Sequence, residues 1–194
     1  MTRARPEMFA HVVYRTRRFD EMLRWYATVF DTQVVAQNPA MAFLTYDDEH
    51  HRFAFVNLDT VRPEGTEKDR RGLVGIDHVA YSFGTLADLF DQYAVLKAAD
   101  IKPYWCVHHG MTVSMYYADP DGNQMEFQVD SFATKQEAMD YFRGPMVELN
   151  PIGVEFDPDA WLARLRGSTP AAALLQRQVH EPVSPIRGSF EQAA

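Results

Sequence analysis

"IDHVAYSFGTLADLFDQYAVLKAAD", residues 76–100, repeats "FAHVVYRTRRFDEMLRWYATVFD", residues 9–31, at a constant offset of 67. His78 falls on His11, Tyr81 on Tyr14, Leu86 on Phe19, Leu89 on Met22, Phe90 on Leu23 and Tyr93 on Tyr26. An internal repeat constrains a fold more than any single motif does. Each copy opens with a short β-like run. Apolar residues then recur at i, i+3, i+4 and i+7, the pattern of a helix with one buried face. Thr85 followed by Asp88 predicts a capping-box-like start for the second helix.

Downstream of each helix the periodicity changes from helical to strand-like. The first copy continues with "VVAQ", "AFLTYDD" and "HHRFAFVNL", the second with "PYWCVH", "TVSMYYAD" and "QMEFQVD". The last hairpins correspond as well, with Asp47 on Asp119 and Phe55 on Phe127 at an offset of 72. Asp119-Pro120-Asp121-Gly122 has Pro at i+1 and Gly at i+3, which suits a type I turn. Each module therefore reads β-α-β-β-β, with module one at 7–58, a polar aperiodic linker at 59–72 and module two at 73–132. A four-stranded sheet covered by one helix leaves a second face open. Paired modules are thus predicted to form one curved, cavity-enclosing sheet with outer helices, an α+β domain over 1–132. Residues 133–194 read as a helical C-terminal extension. Its "TKQEAMDYFRG", "DPDAWLARLRG" and "TPAAALLQRQ" carry Gly or Pro stops, and its very end is expected to be disordered. Phe156 and Trp161 are large enough to wall a pocket or to fill a core.

Composition narrows the function classes. The chain has 194 residues and a net charge of −8, without the basic surface that a nucleic acid requires. No apolar run approaches the roughly 20 residues of a membrane span, and the N-terminal stretch has no signal-peptide core. The single Cys106 excludes an internal disulfide and fits a reducing, cytoplasmic setting. An open edge on each module predicts a homo-oligomer. Six of the seven histidines lie in the first 110 residues, in or beside apparent strands, whereas His180 stands in a polar tail.

Strand alternation places Gln124, Glu126 and Gln128 on one face. Taken alone, that row reads as a wet surface, and a single His11 or His78 reads as a hydrogen-bonded core histidine. The repeat changes the reading. Equivalent histidines of two copies would face one shared cavity, with Glu126 reaching the same point. The first-copy counterpart of Glu126 is Ala54, so no fourth donor comes from there. Two histidines and one carboxylate with open positions suit non-haem Fe(II), and Mn(II) shares the same hard ligands. A closed four-ligand zinc site is disfavoured.

The motifs "HVVY", "HHRFAF", "GIDHVAY" and "SMYYADPDGNQMEF" make the sequence resemble the vicinal oxygen chelate superfamily over about residues 7–132. More narrowly, it is similar to the type I extradiol catechol dioxygenases in a small form with one catalytic domain. The resemblance implies metal ligation by His11, His78 and Glu126. It also implies an acid/base role for His51 and a hydrogen bond from Tyr116 to a ligated catecholate oxygen. His109 is matched to a contact with the substrate hydroxyl, although adjacent His108 competes for that place. The implied reaction is Fe(II)-dependent extradiol cleavage of a small aromatic diol by O₂. Isomerases and lyases of the superfamily usually take a further acidic or amide ligand where this chain has Ala54. A metal-free binding protein is the third alternative, and the matched His–His–Glu set speaks against it.

Overall fold

The computed structural model describes residues 9, 11–49, 51–64, 76, 78–177 and 182–188. These fall into two compact units. One holds the described residues up to 64 together with Asp119–Asp121, and the other holds 76–118 and 122–188.

The first unit runs β1 (Val12–Thr16), α1 (Phe19–Phe30), β2 (Gln33–Gln37), β3 (Met41–Thr45), β4 (Phe53–Asn57) and α2 (Leu58–Val61). Its sheet has the order β1-β4-β3-β2, with β1 parallel to β4 and the other pairs antiparallel. The helical stripe of the sequence is the buried face of α1, where Phe19, Met22, Tyr26 and Val29 are sequestered. Tyr26 is the hub. Its ring lies 4.7 Å from Phe53 and 4.8 Å from Phe55, both edge-on, and its hydroxyl donates to Asp119 at 3.2 Å. Burying rings of this size supplies the largest apolar contribution to such a small core. Asp31 ends α1 in the left-handed region at φ 50°, which Asp tolerates better than most residues. The sequence led to an irregular loop from residue 59. Instead the chain makes one helical turn there, because the Asn57 side chain accepts the Asp59 N–H and the Arg62 N–H closes onto Leu58 O.

The second unit repeats the plan with β5 (His78–Ser82), α3 (Leu86–Ala98), β6 (Trp105–His108), β7 (Thr112–Ala118) and β8 (Gln124–Asp130). Thr85 caps α3 as the sequence indicates, accepting the Asp88 N–H at 3.1 Å. The extension adds α4 (Lys135–Phe142), α5 (Pro145–Leu149), β9 (Val154–Glu155), α6 (Pro158–Arg166) and α7 (Ala171–Leu174). Two of these, α5 and β9, are not evident in the sequence. Strand β9 extends the sheet to β5-β8-β7-β6-β9, through His108 opposite Val154 and Val107 opposite Glu155. Phe156 and Trp161 stack at 4.2 Å and both lie 6.2 Å from Phe90 on α3. They therefore pack against α3, where both remain half-buried.

The α+β class and the duplicated β-α-β-β-β plan agree with the sequence. The hydrogen-bonded strands form two mixed sheets, one per unit, where the repeat led to a single curved one. Among the described residues no helix is long and apolar enough to cross a membrane.

Candidate functional site

Ladder register decides which side chains share a face. In the second unit β5 pairs with β8 so that His78 lies opposite Gln124 and Ala80 opposite Glu126. Tyr116 on β7 lies opposite Glu126, and Trp105 on β6 lies opposite Tyr116. Because side chains alternate along a strand, His78, Glu126, Ser114, Tyr116 and Trp105 stand on one face. Met125, Phe127, Val113, Met115 and Tyr117 stand on the other, and all five are at most 1% exposed. Helix α3 covers that apolar face, with Leu86, Leu89, Phe90, Tyr93 and Leu96 buried. The sheet thus has one face for stability and one for polar work.

The first unit repeats this register. Val13 lies opposite Ala54, and offsets of 67 and 72 carry that pair onto Ala80 and Glu126. Ala54 is therefore the structural counterpart of Glu126, and it is buried.

His78 Nε2 is 3.1 Å from Glu126 Oε2. Burial by itself pushes the Glu126 carboxyl up. The hydrogen bonds from His78 and Ser114 outweigh it and hold the group below its ordinary value. A buried carboxylate kept ionised beside an imidazole is a candidate cation site. The spacing fits one. Two donors each about 2.1 Å from one ion, at right angles, stand about 3.0 Å apart. Imidazole nitrogen with carboxylate oxygen suits a divalent first-row metal. Among the described residues no group of three or more His, Cys, Asp or Glu side chains is placed to hold a metal, so His78 and Glu126 stand as a pair of donors.

Beside this pair, His109 Nε2 is 3.0 Å from the Tyr116 hydroxyl and 3.9 Å from Glu126 Oε1. The other ring nitrogen, Nδ1, contacts the Ile152 carbonyl. A carbonyl only accepts, so Nδ1 carries the proton and, in the neutral ring, Nε2 accepts from Tyr116. Burial lowers the His109 pKa and favours that neutral form. His108 points to the opposite face. Its Nε2 donates to Leu175 O at 3.0 Å, and its Nδ1 accepts the Gly110 N–H at 3.0 Å. Burial lowers its pKa to about 4, although the hydrogen bond to Leu175 O pulls the other way. Strand alternation left His108 and His109 as competitors, and the geometry puts His109 beside Tyr116 and Glu126.

In the first unit the His11 and His51 rings lie 4.3 Å apart, and Phe43 meets His51 edge-on at 5.2 Å. Arg52 is held between Asp47, at 2.9 Å, and the Phe9 carbonyl. The large apolar residues of the strands divide between the two faces of each sheet. Phe43 and Trp105 adjoin candidate site residues, whereas Phe53 and Met115 face the helices and are 1% and 0% exposed.

Ser114 lies on the polar row that strand alternation predicts for β7, with Thr112 and Tyr116. Two participants escape the sequence reading. Ile152 and Ser184, which hold His109 and Trp105, carry no local signal, because they reach the sheet only when the extension docks.

Residues 8–127 match the Glyoxalase/Bleomycin resistance protein/Dioxygenase superfamily. Biphenyl-2,3-diol 1,2-dioxygenase 2 of Rhodococcus globerulus is 45% identical over 162 residues, spanning 84% of this chain and 83% of its own. Biphenyl-2,3-diol 1,2-dioxygenase 3 of the same organism is 41% identical over 169 residues, 87% of each chain. Both relatives are, by name, enzymes that incorporate O₂. Among solved structures, a lactoylglutathione lyase from Agrobacterium tumefaciens has the same fold, with a TM-score of 0.50 and 18% identity over 64% of this chain and 94% of its own. At that identity the likeness concerns the fold alone. The family match spans both copies of the repeat and all six candidate site residues, and with it the chain belongs to the glyoxalase/bleomycin resistance protein/dioxygenase superfamily.

Proposed function

We propose that this chain is an Fe(II)-dependent extradiol ring-cleaving dioxygenase that opens a catechol-type aromatic diol beside its two hydroxyls. The observation that carries the reading is the buried Glu126 carboxyl held 3.1 Å from His78, with the Tyr116–His109 pair next to it. Sequence identity of 45% to a biphenyl-2,3-diol 1,2-dioxygenase supports the choice of reaction and of first substrate. The proposed ligands are His11, His78 and Glu126, of which His11 rests on the sequence repeat. When bound, Fe(II) would supply Lewis acidity toward the diol oxygens and a one-electron path between the aromatic ring and O₂.

The remaining roles belong to the protein. Glu126 arrives ionised, so it offers negative charge to a cation without first losing a proton. On substrate binding the Tyr116 hydroxyl is proposed to turn its single proton from His109 Nε2 to a substrate oxygen. His109, with Nδ1–H fixed on Ile152, keeps Nε2 free of a proton and able to accept one from a diol hydroxyl or from Tyr116. His51 is the proposed second proton carrier. Ala54 at the Glu126-equivalent position offers no additional donor, which favours a dioxygenase over an isomerase or lyase of the same superfamily.

The test is direct. The protein is purified without oxygen, its iron and manganese are measured, and O₂ uptake is followed with biphenyl-2,3-diol and with catechol. Oxygen consumption matched by a yellow ring-opened product is expected, and the metal content decides between Fe(II) and Mn(II). Metal-loaded protein that binds these diols without consuming O₂ would overturn the reading.

A further inference from the structure

We propose that the C-terminal segment 182–188 is a positioning element for the Tyr116 hydroxyl, acting through Ser184 and Trp105. The inference rests on the dioxygenase reading for its effect on turnover and on geometry alone for its effect on Tyr116. The segment touches the polar face of the second sheet at two points. At the first, the Trp105 indole N–H donates to Ser184 Oγ at 2.9 Å. Trp105 in turn stacks on Tyr116, with ring centroids 4.8 Å apart and planes 26° from parallel. Ser184 is itself anchored. Its backbone N–H donates to Gly153 O at 2.8 Å, and its hydroxyl has Glu155 Oε1 at 3.1 Å and Pro185 O at 2.9 Å as acceptors. Arg187 closes the assembly with a forked pair to Glu155, Nε to Oε1 at 2.6 Å and a guanidinium nitrogen to Oε2 at 3.1 Å.

At the second point Gly188, at φ +88°, lies against Gln124, and a Cβ there would come within 2.0 Å of Gln124 Oε1. Gln124 lies opposite His78 in the ladder and accepts the Tyr104 hydroxyl at 2.9 Å. The segment therefore touches β6 through Trp105 and β8 through Gln124, the two strands that flank Tyr116 on β7. The indole N–H has two acceptors, Ser184 Oγ and the Glu155 carboxylate; without the first it turns toward the second, and the ring stacked on it loses a fixed wall. Ser184 touches no reacting atom in this account; it sets the orientation of a side chain that does.

The experiment is a double-mutant cycle on the full chain, Ser184→Ala and Tyr116→Phe singly and together. Ser184→Ala is expected to lower kcat by about five- to tenfold, the effect of one buried hydrogen bond, with metal content unchanged. In the Tyr116→Phe background the same substitution is expected to add little, because the hydroxyl it positions is gone. Ser184→Thr keeps the acceptor and should restore most of the rate. A loss that is fully additive with Tyr116→Phe, or no loss at all, would overturn the proposal. A second readout is independent of catalysis. The ring signals of Tyr116 in protein carrying ¹³C-labelled tyrosine, assigned through Tyr116→Phe, are expected to move in Ser184→Ala. If the wild-type chain cleaves no diol, the dioxygenase reading falls and these signals decide the positioning claim. Unmoved Tyr116 signals would refute it whatever the activity.

Discussion

At Gly153 the extension runs directly against the backbone of His108 and His109, and Gly153→Ala measures how much that approach requires a glycine. The residue has φ +122°, and an added Cβ would lie 2.4 Å from His108 O, 2.9 Å from His108 C and 2.9 Å from His109 Cα. All three are backbone atoms, so relief requires β9 to move away from β6. Holding an L-residue at such a φ costs about 1–3 kcal/mol, and overpacking adds about 1–3 kcal/mol. The sum is about 4 kcal/mol at mid-range. For a chain of this size each kcal/mol shifts Tm by about 2–4 °C, so the fall is about 8–16 °C. Gly122→Ala is the control. It shares the positive φ, at +78°, but a Cβ there meets nothing within 4 Å. Only the backbone cost of about 1–2 kcal/mol applies, or roughly 2–8 °C. Both substitutions restrict the unfolded chain equally, so their difference reports the steric clash with His108 together with the larger backbone cost at φ +122°. Thermal unfolding followed by circular dichroism or calorimetry gives both values. If Gly153→Ala melted within about 2 °C of Gly122→Ala, the close packing of β9 on β6 would be refuted, and with it the route by which Ile152 reaches His109.

The other predictions concern charge and chemistry. Glu126→Ala should abolish metal binding and turnover together, whereas His51→Ala should retain metal and slow turnover by about 10²-fold, the usual worth of a lost acid/base group; metal analysis beside steady-state rates separates the two. Tyr116→Phe should lower kcat by about 10²-fold with metal content unchanged, as expected for a lost hydrogen-bond donor to developing charge. His108 has a folded pKa depressed to about 4 from 6.5 at 4% exposure. Its contribution to stability is therefore complete above pH 6.5 and is lost as pH falls toward 4, a change of about 3 kcal/mol. Urea unfolding across that range should show a shallower loss in His108→Phe than in the wild type, and equal slopes would contradict the burial of a neutral imidazole.

The repeat carried most of what the sequence could tell. Offsets of 67 and 72 between copies reappear in the ladders as Val13 opposite Ala54 and Ala80 opposite Glu126. That correspondence made Ala54 readable as the missing counterpart of Glu126 before any coordinates. Alternation along β7 and β8 made the polar row readable for the same reason, since period 2 is a local property. It could not separate His108 from His109, because the choice depends on where β6 ends and on acceptors far along the chain. Those acceptors, Leu175 O and Ile152 O, are backbone atoms of the extension and leave no mark in side-chain pattern. Strand β9 was missed because two residues are too short for any periodicity to register. The turn at Leu58–Val61 was missed because Asn57, its cap, also ends a convincing strand. His50 and His180 lie outside the described residues, so their readings stand on sequence alone.

The central claim is that this chain inserts both atoms of O₂ into an aromatic diol. Single turnover of anaerobically prepared, iron-loaded protein with biphenyl-2,3-diol under ¹⁸O₂, read by mass spectrometry, tests it most directly. The account predicts a ring-opened product four mass units heavier than that formed under ¹⁶O₂, less any label that the product's aldehyde or acid oxygens exchange with water, and none from Glu126→Ala. A product without label, or unaltered diol after full loading with iron, would contradict it.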